Sequence, residues 1–257
     1  MKKHNEHPDR FSSNWSERDQ GCPGHCSPER LIVALDYSDP GQARDLVDLL
    51  KPSGVSFKIG LELYMAGGPD LVGDLAARHN IFLDLKYHDI PNTVAAAVRS
   101  AASLGVSMIN LHAAGGRKMI TAAREAVENL ERRPILLAVT VLTSLSDQEM
   151  HETGCPGSTA ERVLQLAGLV SECGLDGVVC SPLEIAEIKA KVSPQLMTVT
   201  PGIRPAGDAQ DDQFRVGTPA EAIRSGGDYL VVGRPVTGAA EPLSAVRRIL
   251  TEMGVDQ

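Results

Sequence analysis

Long apolar runs are missing from this chain. None reaches the roughly 18 residues that a bilayer-crossing helix needs, so no transmembrane segment is expected. The N-terminus has no apolar core of the kind a secretory leader carries, and no signal peptide is expected. Aromatic residues are scarce, at 4% with a single Trp, which argues against stacking on nucleic-acid bases. Excess positive charge is missing too: the formal net charge is −8, which argues against a broad nucleic-acid surface. A small anionic ligand stays open, because a pocket can be locally basic on an acidic protein. The five cysteines, Cys22, Cys26, Cys155, Cys173 and Cys180, are odd in number and lack framework spacing, which fits reduced thiols in the cytoplasm.

What is present is a repeating pattern on an ordinary globular composition, with 42% hydrophobic residues in 257. That length suits one (β/α)₈ barrel. Residues 1–29 are polar and aperiodic and are expected to form a poorly ordered extension. Within them Cys22-Pro-Gly-His-Cys26 lacks the second ligand pair that a structural zinc site requires. From Leu31 onward, short β-branched runs alternate with longer amphipathic stretches. Strands are expected at Leu31–Asp36, Ser56–Gly60, Ile81–Lys86, Met108–His112, Ile135–Val141, Gly177–Cys180, Met197–Thr200 and Tyr229–Gly233. Helices are expected at Pro40–Leu50, Pro69–Arg78, Pro91–Leu104, Gly116–Asn129, Thr159–Cys173, Pro182–Lys191, Pro219–Ser225 and Pro242–Glu252. Several open with Pro, which wastes no amide donor in a first helical turn. Strict alternation implies a parallel sheet covered by helices. Eight units in residues 30–257 favour a closed single-domain α/β barrel. The competing doubly wound sheet needs a Gly-rich first turn, and Asp36-Tyr-Ser-Asp-Pro40 contains no G-x-G-x-x-G.

Charge gathers where such a barrel does chemistry. Side chains alternate along a strand, so in Ile81-Phe-Leu-Asp-Leu-Lys86 the leucines share one face and Asp84 and Lys86 the other. Leucines suit packing against outer helices, which sends Asp84 and Lys86 into the barrel mouth, at the strand ends where barrels carry catalysis. Buried charge is costly unless paired. The first strand ends on Asp36, the second contains Lys58 and the fourth ends on His112. Asp89 lies three residues past Lys86, within reach of that ammonium or of a neighbouring chain. Alternating lysines and aspartates hold one another charged. Such an array suits a reaction that expels negative charge and then needs a proton.

Phosphate signals come late. Thr200-Pro-Gly-Ile-Arg204 follows the seventh strand and Val231-Val-Gly-Arg-Pro235 the eighth, the two places where this fold commonly binds phosphate. Gly202 and Gly233 admit close backbone approach, and Arg204 and Arg234 offer forked donors. The polar stretch between Pro205 and Val216 is long enough to close over a ligand. Thr143 and Ser144 fit either a ligand contact or a helix cap. His112 reads as a structural histidine, and Met65, Met108 and Met119 as core.

Asp84-Leu-Lys-Tyr-His-Asp-Ile-Pro-Asn-Thr93 resembles the signature of the orotidine 5′-phosphate decarboxylase family. The resemblance continues in Val33-Ala-Leu-Asp36, Phe57-Lys-Ile-Gly60, Val139-Thr-Val-Leu-Thr-Ser144, Gly177-Val-Val-Cys-Ser181, Val199-Thr-Pro-Gly-Ile-Arg204 and Val232-Gly-Arg-Pro235, in order across about residues 31–240. It implies decarboxylation of orotidine 5′-phosphate to UMP by a homodimer with sites at the subunit interface, without metal or organic cofactor. It further implies a charged array of Lys58, Asp84, Lys86 and Asp89, with Lys86 as proton donor and with Asp89 and Thr93 supplied by the other subunit. Asp36 would hold the ribose hydroxyls and Thr143 the pyrimidine. Arg204, Gln213, Gly233 and Arg234 would hold the phosphate, with Gln213 on the closing loop. Two rival readings remain. One is a related barrel decarboxylase or aldolase of sugar phosphates, which uses Mg²⁺ and an acidic residue near the end of the second strand, where this chain has Lys58. The other is a barrel that binds phosphorylated ligands without catalysis.

Overall fold

The computed structural model describes residues 27–205 and 215–255. Cys22, Cys26 and Gln213 lie outside the described residues, as does most of the expected N-terminal extension. The described chain enters through a 3₁₀ turn, Pro28–Arg30, two residues ahead of the expected domain start. That turn is tied to the barrel floor. Ser56 Oγ donates to the Glu29 carbonyl at 2.7 Å, and Arg30 Nε donates to the Asp228 carbonyl at 2.6 Å.

Eight parallel strands close into a barrel in sequence order: β1 Leu31–Ala34, β2 Ser56–Gly60, β3 Ile81–Tyr87, β4 Met108–His112, β5 Ile135–Val139, β6 Gly177–Val179, β7 Met197–Thr200 and β8 Tyr229–Val232. Closure through Ile32↔Val231 rules out the doubly wound sheet, whose edges would stay open. The helices are α1 Pro40–Leu50, α2 Leu61–Ala76, α3 Pro91–Ala102, α4 Gly116–Glu125, α5 Asp147–Glu152, α6 Thr159–Glu172, α7 Ile185–Lys191, α8 Pro219–Arg224, α9 Arg234–Thr237 and α10 Pro242–Glu252.

Period-two alternation sorts the strand residues into two cores. Outward positions such as Val33, Phe57, Leu83, Ile109 and Val178 pack against the helices. Inward positions form a second, smaller cluster of Ile32, Ala34, Phe82, Met108, Ile135, Leu137, Val199, Tyr229 and Val231. Each fully buried aliphatic side chain contributes about 1.5–3 kcal/mol, so the barrel is plugged with apolar atoms below its mouth. Helix starts are set by local chemistry. Ser146, Ser158 and Thr218 each form a reciprocal capping box with the Glu three residues on, at α5, α6 and α8.

Four expectations need correction. A helical segment, Leu61–Gly67, precedes the expected Pro69 start and continues into α2 across a kink at Gly68, whose φ of 64° and ψ of −169° break the helical path. The Gly-Gly-Pro run reads as a stop, but Pro69 simply opens the next helical turn. Residues 182–184 form a turn, so α7 starts at Ile185. The short helices α5 and α9 were not expected at all. Met65 is 80% exposed on α2 and is no core residue, unlike Met108 and Met119 at 1% each.

Candidate active site

The inward faces of the first three strands converge on one carboxylate. Asp36 follows β1, Lys58 sits in β2 and Asp84 in β3. Asp84 Oδ2 lies 3.4 Å from Lys58 Nζ, and its Oδ1 lies 2.7 Å from Lys86 Nζ. Lys58 Nζ also donates to Asp36 Oδ1 at 3.2 Å. Asp84 and Lys58 are nearly enclosed, with side chains 11% and 12% exposed, while Lys86 reaches further into the opening. Burial alone would discharge Lys58, but Asp84 and then Asp36 more than offset it and hold the ammonium above the ordinary lysine value. Burial likewise pushes Asp84 toward neutrality. Lys58, Lys86 and two hydrogen bonds outweigh it and hold the carboxyl below its usual range. Lys58 and Asp84 are therefore both ionised at neutral pH.

Lys86 owes its position to a break in the sheet. β3 and β4 run in register to Leu83↔Ile109, then shift so that Tyr87 faces Leu111. Two extra residues are thereby looped into β3. Lys86 takes a left-handed backbone, φ 51°, the one such non-glycine residue in the described chain. That conformation costs about 1–2 kcal/mol for an L-residue, so neighbouring groups must hold it. The holder is Asn110 on β4, which is completely buried. Its Oδ1 accepts the Lys86 N–H at 2.8 Å, and its Nδ2 donates to Asp84 Oδ1 at 2.6 Å.

A cavity of about 320 Å³ opens above this centre. Asp36, Lys58, Asp84 and Lys86 line one side. Val139, Val141, Leu142, Thr143, Ser144, Val179 and Cys180 form an opposite, mainly apolar wall, and Gly202, Arg204, Gly233 and Arg234 close the remaining side. The volume falls in the range of small-ligand sites. Gly60 and Gly233 keep the anionic corner open: a Cβ on Gly60 would sit 3.2 Å from Lys58 Nζ, and one on Gly233 3.4 Å from Asp36 Oδ2. Arg204 is 9% exposed and donates through Nη1 to the Ile203 carbonyl, while its Nε is buried without a partner among the described residues. Burial pushes the Cys180 thiol far up, so this wall residue stays protonated.

The stems flanking residues 206–214 are pinned together. Arg204 N–H donates to the Gly217 carbonyl at 3.0 Å, and Gly217 N–H to the Gly202 carbonyl at 3.2 Å. Arg215 pairs with Glu184 at 2.8 Å and donates to the Val141 and Leu142 carbonyls. One stem thus touches the fifth and sixth βα units.

The expected residues divide clearly. Asp36, Lys58, Asp84, Lys86, Thr143, Arg204, Gly233 and Arg234 share the cavity. Asp89 and Thr93 do not: both are exposed, outside the cavity. Asp89 Oδ1 accepts the N–H of its neighbour Ile90, and among the described residues Asp89 has no ion pair with Lys86. The helix-capping alternative for Thr143 and Ser144 falls away, because Ser146 caps α5. His112 is half-buried at the mouth, its ring 5.4 Å from that of His88. Burial first, then His88 and Lys86, lower its pKa against the pull of Asp84. Sequence reasoning missed Asn110 and Gly60. The signal for Asn110 was a lone amide at an inward position of the apolar run Met-Ile-Asn-Leu.

Among the described residues, no group of three or more His, Cys, Asp or Glu is arranged to hold a metal ion. The end of β2, where an acidic ligand would sit, is occupied by Lys58, and Glu62 is exposed on α2.

Comparison with known proteins gives a consistent result. Residues 29–249 match the model of the orotidine 5′-phosphate decarboxylase / HUMPS family. The chain is 48% identical to orotidine 5′-phosphate decarboxylase of Saccharophagus degradans over 225 residues, covering 87% of this chain and 94% of that one. It is 52% identical to the protein of that name from Halorhodospira halophila over 227 residues, covering 88% and 96%. The crystal structure of orotidine 5′-phosphate decarboxylase from Lactobacillus acidophilus superposes with a TM-score of 0.79 at 39% identity, covering 88% of this chain and 99% of that one.

Proposed function

The chain belongs to the orotidine 5′-phosphate decarboxylase / HUMPS family, and from that premise we propose that it converts orotidine 5′-phosphate to UMP through the charged centre around Asp84. The observation that carries this reading is the Asp84 carboxylate bridging Lys58 and Lys86 beside a nucleotide-sized cavity.

The substrate's phosphate sits between the loops after β7 and β8, held by Arg204, Gly233, Arg234 and Gln213. Its ribose hydroxyls reach Asp36, and the pyrimidine lies against the apolar wall with Thr143 at its edge. The carboxylate on C6 then points at Asp84 and Lys86. The C6–carboxyl bond breaks, its electron pair stays on C6, and CO₂ leaves. The Lys86 ammonium stabilises that developing charge and delivers a proton to C6, which leaves UMP and a neutral amine that water reprotonates. Oriented charge in a water-poor site is the main source of rate here. Asp84 fixes the Lys86 ammonium at hydrogen-bond distance from its own Oδ1. Phosphate binding, remote from C6, contributes energy to loop closure and so to the chemical step.

The working unit is a homodimer, with Asp89 and Thr93 completing the partner's site. The exposure of both residues supports this, as do the exposed apolar side chains Leu61, Met65 and Ile90 on the neighbouring second and third βα units. The dimer acts in the cytoplasm, with no nucleic-acid or membrane partner, and Cys155, Cys173 and Cys180 are free thiols. Residues 30–257 make up the decarboxylase domain.

The test is a spectrophotometric assay of orotidylate loss with EDTA present, paired with a UMP titration. Turnover that persists in chelator is expected. Activity that disappears with EDTA would point to the Mg²⁺-dependent relatives, and UMP binding without turnover to a binding protein.

A further inference from the structure

Two groups of the catalytic centre depend on a single side chain outside it. The register shift between β3 and β4 takes the Lys86 N–H out of the strand ladder and turns the backbone left-handed. A buried N–H needs a partner, and Asn110 Oδ1 supplies it at 2.8 Å. The other end of the same carboxamide meets Asp84 Oδ1 at 2.6 Å. Only one orientation of the amide satisfies both contacts. Flipped, it would set its NH₂ against the Lys86 N–H and its oxygen against a carboxylate. Asn110 has no measurable exposure and sits directly above the apolar Met108 in the barrel interior, so water cannot replace either bond.

We propose that Asn110 is a positioning residue for the decarboxylation: its carboxamide orients Asp84 and locks the backbone turn that carries Lys86. It touches no substrate. It holds the carboxylate against the backbone that carries the ammonium, by gripping Asp84 Oδ1 and the Lys86 N–H from the adjacent strand. This inference rests on the decarboxylase reading above. With Asn110 gone, residue 86 is free to relax toward extended geometry and Asp84 Oδ1 loses its second donor, so the ammonium no longer sits where C6 develops charge. The phosphate and ribose contacts lie elsewhere and stay intact.

The experiment compares the full chain with Asn110→Ala, which removes both bonds, and Asn110→Asp, which keeps the shape and an acceptor but loses the donor to Asp84. Orotidylate kinetics and UMP binding are measured for each, and hydrogen exchange at the Lys86 amide in the unaltered protein. Both variants should lose about 10² in kcat, the cost of misplacing a reacting group by about 1 Å, with KM and UMP affinity held within about fivefold. The Lys86 amide should be strongly protected from exchange. A kcat within about threefold of the parent in either variant would overturn the proposal. So would UMP affinity falling in step with kcat, which marks general collapse of the site, or fast exchange at Lys86, which is readable even if neither variant folds. Failure of the parent chain to decarboxylate orotidylate would instead remove the function, while the exchange measurement still reads the clamp.

Discussion

At the scale of single residues the site is a balance between burial and pairing. Lys58 stays ionised against burial because Asp84 and Asp36 face it, Asp84 because Lys58, Lys86 and Asn110 do, and Lys86 is the member of the group left open toward ligand. Lys86→Ala should therefore lower kcat by at least about 10³, within the range for loss of a proton donor. UMP binding and the melting temperature should change little, because Asp84 keeps Lys58 and Asn110 as partners. Spectrophotometric turnover, calorimetric UMP titration and a thermal melt check the three parts, and near-parental turnover would remove Lys86 from the mechanism. The charged residues that touch the cavity were legible in the sequence because charge at the end of a β-branched strand is conspicuous. Asn110 was not, since an amide carries no charge and its importance depends on the β3–β4 offset. Strand alternation put Asp84 and Lys86 on one face, and the left-handed turn at Lys86 keeps them together across a bulge that the alternation rule does not foresee.

At the scale of elements, strand positions were readable to within two residues because the inner and outer faces carry such different demands. Helix starts were less so. The Gly67-Gly68-Pro69 run hid the first half of α2, since one residue at φ 64° lets a helix restart without a loop. The six-residue α5 is too short to show a period and is recognisable only from its capping box. Tight strand packing gives a prediction at this scale. A Cβ on Gly177 in β6 would lie 2.5 Å from the Met197 carbonyl oxygen of β7, a backbone atom that cannot swing aside. Gly177→Ala should therefore cost about 1–3 kcal/mol, as overpacking does, and lower the urea midpoint, while the kinetics of the folded fraction stay near normal. An unchanged midpoint would mean that the two strands separate more easily than their spacing suggests.

At the scale of the whole molecule, the barrel keeps its apolar plug below and its charges at the rim, with Asp89 and Thr93 facing away from the cavity of their own chain. The dimer proposed above gives these two residues a destination. In a mixture of Lys86→Ala and Asp89→Ala chains, each heterodimer carries one doubly altered site and one intact site. Subunit exchange between these two inactive preparations should then restore activity to about a quarter of the parental level, from random two-fold pairing. The spectrophotometric assay after co-incubation checks this, and mixtures as inactive as their components would mean that each chain works alone.

Asp84 answers to Lys58, Lys86 and Asn110 at once. No member of that foursome can drift on its own, because each is held by at least one of the others. Substitutions among them should be strongly non-additive.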